Sequence, residues 1–151
     1  MKTHKSYWQA FVTALGCLIA VLFAAWVLML NQARKRAESI QCGNYMVSIG
    51  CGARLWANDN EARYPTNFIC MSNELCMTKI LICPGDRSRK PATNWTSLTP
   101  ENCSYEILAP GMVDDEKAKD TVFLRCKYHG HLGYGDATVF DGKSRRSKKI
   151  P

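Results

Sequence analysis

The stretch from Trp8 to Leu30 carries no charged residue, and Gln9 and Thr13 are its only polar side chains. A helix of this length, rising ~1.5 Å per residue, spans a hydrocarbon core of about 30 Å, where backbone groups must be satisfied within the segment. Residues 7–30 therefore read as a transmembrane helix. The run exceeds the ~7 to 15 apolar residues of a cleaved secretory signal, and Trp26-Val27-Leu28-Met29-Leu30 offers no small-residue cleavage site.

Beyond Asn31 the chain turns polar without a helix breaker. Cys42, Met46, Ile49, Ala53 and Trp56 follow at steps of 4, 3, 4 and 3, which places them on one helical face. The expectation is one helix from Tyr7 to about Asn58, a rod of roughly 75 Å. Its upper half uses Met46, Ile49, Ala53 and Trp56 to pack on a sheet. Gly43, Gly50 and Gly52 each lower helix propensity by ~1 kcal/mol relative to alanine, so packing must hold this half, and small residues let another backbone come close. Asn58-Asp59-Asn60 suits a helix end, and Tyr64-Pro65 enforces an extended exit.

Downstream, Ser72-Asn73-Glu74-Leu75 reads as a cap and first turn of a short helix. Lys79 to Cys83, Ser104 to Leu108, Thr121 to Cys126 and Ala137 to Phe140 read as short strands, separated by turn signals such as Pro84-Gly85-Asp86 and Ala109-Pro110-Gly111. Short strands joined by hairpin-length loops imply an antiparallel sheet. The fold class is α+β, a long N-terminal helix on a small antiparallel sheet. The organisation is a short N-terminal flank (1–6), the membrane helix (7–30), its continuation beyond the membrane (31–58), an α+β domain (59–142) and a basic tail (143–151).

The net charge of +7 is a tail property, because Lys143, Arg145, Arg146, Lys148 and Lys149 crowd the last nine residues. Nucleic-acid binding needs basic residues spread over a folded face with stacking aromatics, and that pattern is missing, so no nucleic-acid partner is expected. Of eight cysteines, seven follow the membrane segment: Cys42, Cys51, Cys70, Cys76, Cys83, Cys103 and Cys126. They are disulfide candidates and favour an oxidising compartment, while their odd number leaves at least one outside any intrachain pair. Lys2 and Lys5 on one side of the span and Arg34, Lys35 and Arg36 on the other leave the orientation undecided or slightly favour a cytoplasmic C-terminus. The cysteines favour the opposite.

The series Arg34-Lys35-Arg36, Cys42-Gly43-Asn44-Tyr45, Ile49-Gly50, Leu55-Trp56-Ala57-Asn58-Asp59-Asn60 and Tyr64-Pro65 resembles the N-terminal region of prepilin-like proteins, the type II secretion pseudopilin and type IV pilin class. Lys79-Ile80-Leu81-Ile82-Cys83-Pro84-Gly85-Asp86, Lys90-Pro91-Ala92-Thr93-Asn94-Trp95, Asn102-Cys103-Ser104-Tyr105 and Cys126 with His129-Gly130 before Asp141-Gly142 are similar to an uncharacterised branch of that class. The resemblance implies a pilin-like fold and a non-enzymatic structural subunit. It also implies inner-membrane insertion with a periplasmic domain, and homo- or hetero-oligomeric contact with other pilin-like subunits through the N-terminal helix and with lipid. One departure stands out. Ala10-Phe11-Val12-Thr13-Ala14-Leu15 outlines the family's processing site, but Leu15 occupies the position of the usual glutamate. The alternative is an anchored binding module that keeps the fold and does not assemble.

Two ions suit the donor types present, and neither is expected as a resident cofactor. Asp136 and Asp141, with Asp114, Asp115 or Asp120, offer oxygen ligands for calcium, as in a loop of some major pseudopilins. Cys126, His129 and His131, with Cys83, offer sulfur and nitrogen for zinc, although paired Cys-x-x-Cys knuckles are absent. Cys126 beside two histidines also has the parts of a nucleophile and base, but no third orienting group announces itself, and no catalytic residue is expected.

Overall fold

The computed structural model describes residues 3–141; the basic tail 143–151 lies outside the described residues. The chain divides into two units between Ala37 and Glu38. Helix α1, Thr3–Asp59, belongs to both. In the first unit, every side chain described from Phe11 to Ala37 is exposed, including Leu18, Leu22, Phe23, Trp26 and Leu30. This helix is long and apolar enough to cross a membrane. An apolar surface of this extent needs lipid or protein cover.

The second unit is a helix on a sheet, as the apolar stripe predicts. Its four strands are β1 (Tyr105–Ile107), β2 (Val122–Cys126), β3 (Leu132–Tyr134) and β4 (Val139–Phe140), antiparallel and in the order β1-β2-β3-β4. Register is set by Tyr105 opposite Cys126, Arg125 opposite Leu132 and Gly133 opposite Val139, with an irregularity between Val122 and Leu124. One face of α1 is buried through Cys42, Met46, Ile49, Ala53 and Ala57, and these join Phe123, Leu124, Tyr105 and Val139 in one core. Trp56 is half-buried at the margin, and Ala57 takes the inward position at that turn.

Two glycines explain why propensity was sacrificed in α1. A Cβ on Gly50 would meet the Ala137 Cβ at 3.0 Å, and one on Gly52 would meet Leu75 Cδ2 at 2.8 Å. Close backbone approach replaces the helix stability that alanine would supply. Below the helix end, Tyr64 is buried edge-on against Phe123, ring centroids 5.0 Å apart, and its hydroxyl donates to the Gly135 carbonyl.

Three local expectations need correction. The apolar run at residues 79–83 is not a strand: Thr78–Leu81 is a 3-10 turn, and only beyond it does Ile82 take an extended conformation. Local bonds explain this, since the Ile82 N–H turns back to the Lys79 carbonyl and the Thr78 hydroxyl donates to the Ala92 carbonyl at 2.6 Å. The remaining strand is β3, where Gly133 accepts Leu124 and the Met46 methyl at the 3.3 Å that a Cβ would occupy. The short helix α2, Ser72–Leu75, is present, but Met71 precedes it as the cap residue and Ser72 lies in its first turn.

Deleting the buried Ile49 side chain (Ile49→Ala) is expected to cost ~2–5 kcal/mol of domain stability. Trp56→Ala should fall below the ~3–5 kcal/mol of a fully buried tryptophan. Urea titration of the full chain in detergent, read as alkylation of the buried Cys103, would rank the two; a larger loss for Trp56→Ala would contradict this packing.

Candidate metal centre

Among the described residues, one group of three or more potential metal ligands gathers its donor atoms: Cys42, Cys83, Cys126 and His129, all within 4.8 Å of one another. The three cysteines are buried and His129 is half-buried. They arrive from three pieces of local structure. Cys42 leads the buried stripe of α1, one helical turn before Met46. Cys83 follows the 3-10 turn and opens a tight reversal closed by the Asp86 N–H donating to the Cys83 carbonyl at 2.9 Å. Cys126 ends β2, and the hairpin back to β3 brings His129 round as a Cys-x-x-His turn.

That turn is held by its own backbone. Cys126 N–H donates to His131 O, Gly130 N–H donates to Cys126 O, both at 2.9 Å, and His129 N–H donates to Cys126 Sγ at 3.3 Å. His129 Nδ1 lies 3.1 Å from Cys83 Sγ, its ring wedged between Tyr128 (edge-on, 4.9 Å) and His131 (stacked, 5.1 Å). Gly85 makes room for this: a Cβ there would meet Tyr128 Cε1 at 2.5 Å and His129 Cε1 at 3.0 Å. Hydrogen bonding among the three thiols pushes Cys126 down and Cys42 and Cys83 up. Burial pushes the Tyr105 phenol up, so it stays protonated and donates to Cys42 Sγ at 3.6 Å.

A buried carboxylate fixes the loop that carries Cys83. Asp86 accepts from Ser104 Oγ at 2.9 Å and Arg89 Nη1 at 2.7 Å on Oδ2, and from the Ser88 hydroxyl at 2.6 Å on Oδ1. Burial opposes its charge, but the hydrogen bonds from Ser88, Arg89 and Ser104 outweigh it and hold the carboxyl down to about 2. The same loop joins the sheet where Ser104 N–H donates to the Leu81 carbonyl and Lys127 N–H to the Ser104 carbonyl, both at 2.9 Å.

No family model, curated protein or solved structure matches this chain. The site therefore rests on its own geometry.

Of the residues expected to offer zinc ligands, Cys83, Cys126 and His129 come together, whereas His131 sits beside them with Nε2 3.2 Å from Ser39 Oγ. Cys42 completes the set from 41 positions before Cys83, a separation no spacing motif covers. Asp136 and Asp141 are not in this group; Asp136 Oδ1 accepts from the Thr138 N–H at 3.0 Å and the Thr138 hydroxyl at 2.5 Å, closing a local turn. All eight cysteines are free thiols in the structure. Cys51 and Cys76 are exposed, Cys70 is partly exposed with its thiol on Asn67, and Cys103 is buried with its thiol on the Tyr105 carbonyl.

The pH dependence follows in sign from Asp86. Its folded carboxyl stays ionised to about 2 and its unfolded one only to ~3.9, so its contribution is complete above pH ~4 and is lost as pH falls from there toward 2. Asp86→Asn should remove roughly 2 kcal/mol at pH 7 and flatten the acid limb. Urea midpoints for both proteins at pH 7 and pH 3 would show it; parallel losses on acidification would assign the acid sensitivity elsewhere.

Proposed function

We propose that this chain is a single-pass inner-membrane protein, its domain on the periplasmic side, acting as a structural subunit of a type II secretion or type IV pilus-like assembly. The observation that carries the reading is the division of labour along α1: an exposed apolar segment, then a buried stripe that covers a four-stranded antiparallel sheet. Such a helix presents to the bilayer a surface that other helices can share with lipid. Ala14, Gly16, Ala20, Ala24 and Ala25 supply the small side chains that permit close helix contact without a charge pair. Leu15 spares the membrane a carboxylate costing a few kcal/mol and forgoes its attraction to a partner's amine.

A second reading is favoured by the Cys42, Cys83, Cys126 and His129 cluster, which an assembly subunit does not require. It is an anchored binding module with the same fold. Photo-crosslinking from the exposed Leu18 face, in cells that express a full set of pilin-like subunits, separates the two. The assembly reading expects capture of those subunits, increased by Leu15→Glu once the partner amine is present. Negligible capture by both forms would support the anchored module. Orientation has its own probe: the exposed Cys51 and Cys76 should react with an impermeant maleimide on intact spheroplasts, and labelling only after the membrane is opened would place the domain in the cytoplasm.

A further inference from the structure

We propose that Cys42, Cys83, Cys126 and His129 bind one zinc ion in a closed site of three sulfurs and one nitrogen that fastens α1 to the sheet. The inference is independent of whether the chain assembles. Zinc takes thiolate at ~2.3 Å and imidazole at ~2.0–2.1 Å in a tetrahedron, so its ligands lie about 3.4–3.8 Å apart. The four donor atoms here already lie within 4.8 Å of one another, and small side-chain rotations close the remainder. A soft sulfur-rich set with one imidazole in tetrahedral reach suits zinc better than calcium or magnesium, which take oxygen.

Burial defines the kind of site. With Cys42, Cys83 and Cys126 at 1% exposure or less, four protein ligands fill the coordination sphere and leave no open position for water or substrate. The expected role is structural. Zinc displaces the thiol protons on loading, and with three thiolates and a neutral imidazole the site carries one net negative charge. Two donors already point at the sulfurs to spread that charge, the Tyr105 hydroxyl toward Cys42 and the His129 N–H toward Cys126.

The ion would join a helix, a loop and a hairpin far apart in sequence, so its binding free energy adds to folding. It would clamp the buried stripe of α1 at Cys42, one helical turn before Met46.

The test uses the full chain purified in detergent from zinc-supplemented cells. One zinc per chain by elemental analysis is expected, and exchange for cobalt should give sulfur-to-metal charge-transfer bands with the intense visible bands of tetrahedral cobalt. Mass-mapped alkylation should show Cys42, Cys83 and Cys126 protected until a chelator is added, with Cys51 and Cys76 reactive throughout. Tyr105→Phe should weaken zinc binding by about tenfold, and His129→Ala, Cys42→Ser or Cys83→Ser by more; Cys51→Ser should leave it unchanged. Ligand variants that fail to fold are replaced by the wild-type cobalt spectrum and chelator-dependent alkylation. A chain without stoichiometric metal, a weak octahedral cobalt spectrum, or a disulfide joining any two of Cys42, Cys83 and Cys126 in protein taken directly from membranes would overturn the proposal.

Discussion

The domain depends on the burial of one face of α1 against the sheet. Strands of three, five, three and two residues cannot form a stable sheet in water unless a hydrophobic face is covered. Cys42, Met46, Ile49, Ala53 and Ala57 provide that cover, and each is at most 1% exposed. The dependence is mutual, because the glycines at positions 43, 50 and 52 would weaken an isolated helix. Helix and sheet stabilise each other through one shared core, so neither half is expected to persist alone.

The same geometry builds the polar and sulfur chemistry. Bringing α1 down on the sheet sets Cys42 beside the end of β2, and the loop carrying Cys83 is held there by Asp86 through Ser88, Arg89 and Ser104. A buried carboxylate is tolerable when its hydrogen bonds replace water, as they do here. Exposed pairs such as Arg125 with Glu106 at 2.6 Å and Arg87 with Glu38 at 2.8 Å contribute far less, since solvent screens them.

The two units present different surfaces by the same rule. From Phe11 to Leu30 the apolar side chains point outward, which is stable when the surroundings are apolar, whereas from Cys42 onward α1 turns one apolar face, Cys42, Met46, Ile49, Ala53 and Ala57, into the core. A basic turn, Arg34-Lys35-Arg36, stands where the pattern changes, suited to lipid headgroups.

The sequence by itself determined the long helix, its apolar segment, the inward stripe through Met46, Ile49 and Ala53, and three of the four strands, because periodicity and run length are local properties written directly in the residues. It misassigned residues 79–83, where the Ile82 N–H turns back to the Lys79 carbonyl and the neighbouring Thr78 hydroxyl donates to the Ala92 carbonyl, and it passed over β3, whose Gly133 is chosen for contact with Leu124 and Met46 rather than for strand propensity. Cys83, Cys126 and His129 were legible as ligand types. That Cys42 joins them, and that His131 does not, was decided only by tertiary structure, because the meeting of a helix face, a loop and a hairpin depends on how the core packs and leaves no fixed spacing in the chain.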